Sequence, residues 1–248
     1  MKYLIGDIGN SSTKICILNS DFKILRSYNF ETIKMFKGNN LKTIIRKRMN
    51  KGLNPIFLFS SVVPKVFSNI KKSLKLSKYK VLEIKNLNLN KIIKINVKNK
   101  KQIGSDRIAN AIGAKKLKNC LVLDFGTATT FDVIKNGRYE GGVIAPGVKL
   151  SIKNLSQATA LLPLINLSSN QKKFGKNTKD ALNAGFVWGY EGLINNIINK
   201  ITSKNNKKFK IILTGGYANF FKKIIKKNVT VDQHITIKGI ANVYKELI

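Results

Sequence analysis

The stretch Leu123-Asp124-Phe125-Gly126-Thr127-Ala128-Thr129-Thr130-Phe131 reads as a buried strand that runs into a tight turn of small hydroxyl residues. Gly6-Asp7-Ile8-Gly9-Asn10-Ser11-Ser12-Thr13-Lys14 repeats that pattern near the start of the chain. Asp7, Gly9 and Thr13 match Asp124, Gly126 and Thr130 at a constant offset of 117 residues. A repeat at that distance in a chain of 248 residues predicts an internal duplication.

The flanking patterns agree. In the first half, "YLIGDIGNSSTKICILNS" has the alternation of a hairpin, and "FKILRSYNFET" supplies a third strand. A basic helix over "LKTIIRKRMNKG", a parallel-type strand "PIFLFSSVV", a helix from Pro64 and a strand "KYKVLEIK" come next. The segment "SDRIANAIGAKKLKN" is expected to be a helix crossing to the second half, its small residues Ile108 to Ala114 suited to close packing between domains. The second half repeats the hairpin, with Asn136-Gly137 as a two-residue turn. A helix over "FVWGYEGLINNIINKI", a strand "FKIILTGGYA" and a helix "GIANVYKELI" complete it. The expected fold is α/β, with two domains over residues 1–115 and 116–248 and a cleft between them. His234 is expected in a late strand, "VDQHITIKG", as a structural residue; Trp188 and Tyr190 are expected to pack.

Bulk properties narrow the class. With 43% apolar residues the chain can build a full core, and its apolar runs are too short to cross a membrane. Cys16 and Cys120 lie far apart in strand-like segments without a CxxC spacing, which predicts free thiols and a cytoplasmic protein. The formal charge of +34 invites a nucleic-acid reading. Only five of the 46 basic residues are arginine, however, and the lysine-rich stretches carry no interleaved stacking aromatics. The lysines are read as a solvated, composition-driven surface, with non-specific, salt-sensitive binding to polyanions.

The turns carry chemistry. Across Asp7, Ile8, Gly9, Asn10, Ser11, Ser12, Thr13 and Lys14, a glycine allows close approach, and successive N–H groups and hydroxyls can donate to phosphate oxygens. The acid repels bare phosphate, so its sensible role is to hold a bridging cation, directly or through water. Asp124 and Thr127 offer the same equipment in the second copy. One such turn alone reads first as an ordinary Asp-Gly hairpin capped by hydroxyls; two at matched spacing reverse that reading and suit a nucleoside triphosphate held across a cleft. After the strand "KIIL", Gly215-Gly216 lets backbone approach a flat adenine or ribose. Ser105-Asp106-Arg107 falls at a helix start, where Ser105 can cap, Asp106 can accept a hydroxyl proton, and Arg107 can pair with an anion.

Taken together, the two hairpins and the later Thr-Gly-Gly resemble the two phosphate motifs and the adenosine motif of the actin-like ATPase and sugar-kinase superfamily. Within it, the chain is similar to the type III pantothenate kinases. The markers are "GSDR" (104–107), "DFGTATT", "GGVIAPG" (141–147), "TALLP" (159–163), "NTKDALNAG" (177–185) and "LTGGYA", in order along nearly the whole chain. The resemblance implies two RNase H-like domains with ATP in the interdomain cleft. It implies phosphorylation of the primary hydroxyl of pantothenate to 4′-phosphopantothenate, the first step of coenzyme A synthesis.

By the same resemblance Asp106 is the catalytic base, and Gly104, Ser105, Arg107 and Thr178 belong to the pantothenate site. Thr127, Gly215 and Gly216 contact ATP, Asp124 binds K⁺ or NH₄⁺, and Asp7 organises the Mg²⁺ water shell. A homodimer with the substrate pocket at the subunit interface is also implied. The chain departs from the family where a Tyr and a Pro are usual, carrying Val97 and Lys100. Two alternatives stay open: a non-catalytic accessory factor, which should have lost some of Asp7, Asp106, Arg107 and Asp124, and a kinase with a different hydroxyl acceptor.

Overall fold

The computed structural model describes residues 1–35, 41, 52–75, 79–169, 173–203 and 208–248. The basic helix expected over 41–52 lies, apart from its two end residues, outside the described residues. The chain divides into two compact units. One is Met1–Lys116 with Gly137–Tyr139 and His234–Ile248; the other is Leu117–Asn136 with Glu140–Gln233.

In the first unit, β1 (Lys2–Ile8), β2 (Ser12–Leu18), β3 (Ile24–Glu31), β4 (Leu53–Ser61) and β5 (Lys80–Glu83) form one sheet in the order β3-β2-β1-β4-β5. In the second, apart from the first two residues of β8, β6 (Cys120–Phe125), β7 (Ala128–Lys135), β8 (Arg138–Pro146), β9 (Lys210–Gly215) and β10 (Val229–Val231) line up as β10-β9-β6-β7-β8. Reading β6 as β1, β7 as β2 and so on, the two orders are identical, so the duplication predicted from the two turns extends through both sheets. In each, the first strand pairs antiparallel with the second and parallel with the fourth. The hairpin between β7 and β8 turns at Asn136 (φ 52°) and Gly137 (φ 72°), the left-handed pair that the Asn-Gly dipeptide favours.

The helices placed within the described residues are α1 (Pro64–Ser73), α2 (Ser105–Ala114), α3 (Val148–Gln157), α4 (Thr178–Thr202), α5 (Ala218–Lys222) and α6 (Ile235–Leu247). Pro64 opens α1, where its missing N–H costs nothing. The core of the first unit includes Leu4, Ile8, Ile15, Phe57, Phe59 and Val66, and that of the second Leu121, Leu123, Phe131, Ile194, Leu213 and Phe221. Cys16 and Cys120 are buried free thiols; burial raises both, Cys120 to about 12. No helix among the described residues is long and apolar enough to cross a membrane.

Three expectations change. His234 is not in a strand: β10 ends at Val231, and His234 immediately precedes α6, its carbonyl accepting from Lys238 N at 2.8 Å. Trp188 is 43% exposed, whereas Tyr190 on the same helix is buried and hydrogen-bonded to Ser151 at 2.8 Å. The small-residue helix α2 packs within its own unit, against α6. A side chain on Gly239 would overlap the Ala109 carbonyl, and one on Gly113 would overlap that of Ile235. Such backbone-on-backbone contact leaves no room for a methyl group. Gly239→Ala is therefore expected to lower the free energy of unfolding by about 1–3 kcal/mol in a urea titration.

Candidate active site

The ends of the two central strands hold the candidate residues, and each unit's set is described separately. In the first unit the last residues of β1 pair as Asp7 with Lys14 and Ile8 with Thr13, leaving Gly9, Asn10, Ser11 and Ser12 as the turn. Gly9 N donates to Ser12 O at 3.0 Å, closing it. Asn10, Ser11 and Ser12 are exposed.

The side chains of Ile8 and Thr13 lie in the scaffold of the turn rather than on its open side. Ile8 is fully buried in the core, its carbonyl accepting from Val62 N at 3.0 Å. Thr13 is fully buried too. Thr32 Oγ1 donates to Gly9 O at 2.6 Å, so in its 3.0 Å bond with Thr13 the Thr13 hydroxyl is the donor. Thr32, which carries no signal in the sequence, thereby braces the turn from behind. Lys14 and Ser60 stand opposite Asp7 on β2 and β4, on the same face of the sheet.

The second turn is one residue shorter. Asp124 pairs with Thr130 and Phe125 with Thr129, so the turn is Gly126-Thr127-Ala128, closed by Gly126 N to Ala128 O at 3.1 Å. The constant offset of 117 therefore holds for the acid and the glycine and slips by one at the hydroxyls. The counterpart of Thr130 is Lys14, and buried Thr129 matches buried Thr13. Asp7 thus faces an ammonium, while Asp124 has the hydroxyl-bearing Thr130 and Thr214 as its cross-strand neighbours.

Two distant glycine motifs close on this second turn. A side chain on Gly147 would overlap the Thr127 carbonyl, so the "APG" segment packs directly on the backbone of Gly126 and Thr127. Gly215 has φ +84°, and its α-carbon lies against Phe125 and the Asp124 carboxylate. Gly216 N donates to Phe125 O at 3.0 Å, and Gln233 Nε2 donates to Gly215 O at 3.1 Å. Thr127 and Gly216 stay exposed.

Asp106 sits in the first turn of α2, half-buried. Burial raises its carboxyl above the ordinary aspartate value of 3.8, opposed by a hydrogen bond from Arg107 N at 2.8 Å and by the charge of Arg107. Ser105 does not cap the helix: the N-cap is Gly104, and Ser105 is buried with its hydroxyl donating to Glu83 Oε1. Val62, whose N–H bonds the Ile8 carbonyl, packs where a Gly104 side chain would stand, so Gly104 and the residue before the first turn meet one residue, the first after β4.

Thr178 is exposed at the start of α4, which Asn177 caps by accepting from Asp180 N at 3.0 Å. A cavity of about 370 Å³ lies beside it, lined by Leu164, Asn166, Ser168, Lys179, Asp180 and Asn183. Val97 is half-buried and Lys100 exposed.

A lone carboxylate at each strand end, beside a turn of N–H and hydroxyl groups, is the donor set that a hydrated cation bridging to phosphate uses. The residues present fit ATP with a divalent metal. Two units of one topology, each with that acid and turn, place the protein in the actin-like ATPase and sugar-kinase fold class.

The chain belongs to the type III pantothenate kinase family, whose model matches residues 3–200. A type III pantothenate kinase of Pelagibacter ubique is 50% identical, with 96% of each chain covered. Among solved structures, a putative Baf family transcriptional activator from Campylobacter jejuni shares the fold at 22% identity and a TM-score of 0.64, covering 98% of both chains. A putative 2-dehydro-3-deoxygalactonokinase from Sinorhizobium meliloti does so at 11% identity and 0.61, again over 98% of both.

Because Gly147 supports the second turn by backbone contact alone, Gly147→Ala is expected to weaken ATP binding about tenfold, or 1.4 kcal/mol. Calorimetric titration checks this, with the far-ultraviolet circular dichroism unchanged.

Proposed function

We propose that the chain transfers the γ-phosphoryl group of ATP to the primary hydroxyl of pantothenate, giving 4′-phosphopantothenate and ADP. Family membership supports the substrate, and one observation carries the mechanism. Asp106 is a carboxyl with a raised pKa at the start of α2, and Val62, the first residue after β4, meets both Gly104 and the residue before the first phosphate turn. The substrate hydroxyl oxygen attacks the γ-phosphorus, the bond to the β–γ bridging oxygen breaks, and the hydroxyl proton passes to Asp106. In a loose transition state that proton moves late, so Asp106 also orients the hydroxyl. Arg107 pairs with the pantothenate carboxylate or with a phosphate oxygen.

Gly9, Asn10, Ser11, Ser12 and Lys14 bind ATP phosphate in the first unit, and Thr127, Gly215 and Gly216 bind ATP in the second. A divalent ion, Mg²⁺, neutralises phosphate charge when bound, and Asp7 would hold it through water. Asp124, with Thr130 and Thr214 on its face, would hold K⁺ or NH₄⁺: a single carboxylate among neutral oxygens suits a weakly charged ion. The retained Asp7, Asp106, Arg107 and Asp124 speak against a non-catalytic accessory role.

We further propose a homodimer whose interface completes the pantothenate site beside Thr178. The second unit displays Ile144, Leu155, Leu161 (89% exposed), Leu164, Phe174 (74%) and Trp188, more large apolar side chains than an isolated surface usually shows. The cytoplasm is the proposed location, and nucleic acid is at most a non-specific, salt-sensitive partner.

A coupled ADP-release assay is expected to show turnover only with pantothenate, Mg²⁺ and K⁺ or NH₄⁺ present. Asp106→Asn is expected to lose on the order of 10²- to 10⁴-fold in kcat, and full activity in that variant would remove Asp106 as base. The base works ionised, so kcat/KM should fall on the acid side at a pH above 3.8, the ordinary aspartate value, because the folded pKa is raised. Linkage runs the opposite way. The folded state holds this proton more tightly than the unfolded one, so the group's stabilising contribution is complete below 3.8 and is lost as pH rises through the raised value. Light scattering is expected to report a dimer mass, and Leu161→Asp with Phe174→Asp a monomer.

A further inference from the structure

Glu83, the last residue of β5, is buried and made less acidic by that burial, yet the phosphoryl transfer gives it no part. A buried carboxylate is costly unless several donors converge on it. Two donors do, from two segments, and a third N–H lies near. Ser105 Oγ donates to Glu83 Oε1 and Lys85 N donates to Oε2 at 2.8 Å, while the backbone N–H of Ser61, at the end of β4, also favours the charged carboxylate. An aliphatic side chain could fill the space but could accept none of these bonds, and an amide would keep only one accepting oxygen for donors that meet two.

Lys85 works from the other side of Gly104. Its Nζ donates to Lys101 O at 2.9 Å and to Ile103 O at 2.7 Å. Glu83 and Lys85, two residues apart, therefore grip residues 101–105 on both flanks of Gly104. From Ile84 to Gln102 the chain forms no α-helix and no named strand, only three short 3₁₀ turns and irregular segments, so regular structure does little to place the start of α2. Asp106 stands at that start, its carboxylate against the α-carbon of Gly104. Ser61, the last residue of β4, is the neighbour of Val62, whose N–H bonds the Ile8 carbonyl just before the first phosphate turn.

We propose that Glu83 is a positioning residue for Asp106, acting through Ser105, and that with Lys85 it sets the start of α2 in register with the phosphate turn of its unit. The proposal rests on Asp106 as the catalytic base. It assigns Glu83 no contact with substrate.

The test uses the full chain with Ser105→Ala, Glu83→Gln, the double variant and the conservative Ser105→Thr. In each single variant kcat is expected to fall about tenfold, a displacement effect, with the KM for ATP unchanged within about twofold. The double variant should be no worse than either single one, because both remove the same tether. Ser105→Thr should recover most of the rate. Independently of turnover, the Arg107 and Ile108 amides should exchange hydrogen about tenfold faster in Ser105→Ala and Glu83→Gln, while amides in β6 and β7 do not change.

Unchanged exchange at Arg107 and Ile108, additive losses in kcat, or a lower melting temperature with kcat intact would each overturn the proposal. If the unaltered protein gives no ADP with pantothenate, the kinase reading fails by itself, and the exchange measurement still decides whether Glu83 orders the start of α2.

Discussion

Both halves of the molecule depend on a change in strand direction at one position. β1 and β6 are the strands that pair antiparallel on one side and parallel on the other. The antiparallel side is closed by a tight turn, and the parallel side demands a crossover, so the chain leaves the sheet in different ways on the two flanks of the same strand end. In open α/β sheets such a switch opens a space outside the carboxyl ends of the strands. Asp7 and Asp124 stand at those ends, each beside a tight turn.

Contacts from distant segments then fix each strand end. In the second unit Gly147 and Gly215 come from segments 21 and 89 residues beyond Gly126, Gly147 lying on the backbone of Gly126 and Thr127 and Gly215 against Phe125 and the Asp124 carboxylate. In the first unit a hydroxyl does this work, Thr32 reaching the Gly9 carbonyl, and Glu83 joins the end of β4 to the start of α2. The two copies share a topology and have diverged in their bracing: backbone contact in one, side-chain hydrogen bonds in the other. The shorter second turn belongs to the same divergence, since it puts Thr130 where the first copy carries Lys14.

Much of this is legible in the residues. The repeated acid–glycine–hydroxyl pattern gives both central hairpins, Asn136-Gly137 its left-handed turn, and Pro64 the start of α1, because each rests on local chemistry within a few residues. The motifs in order along the chain carry the family. Ser105 reads as a cap because the Ser-Asp-Arg spacing looks the same whether the hydroxyl meets its own helix or, as it does, a carboxylate 22 residues earlier. His234 reads as a strand residue because three alternating residues mimic a strand and α6 begins without a side-chain cap.

The sequence by itself determined the duplication, the position of an acid at the end of each central strand, and the family, since these rest on composition and spacing over short stretches. Tertiary structure decided the rest. It decided that α6, last in the chain, groups with the first unit, where Gly239 and Gly113 allow α2 and α6 to touch backbone to backbone. It also decided which threonines are buried behind the turns and which stay exposed, and that the Ser105 hydroxyl meets Glu83. The physical reason is the same throughout: burial and hydrogen bonding are satisfied by whatever group arrives in space, and separation along the chain does not say which group that will be.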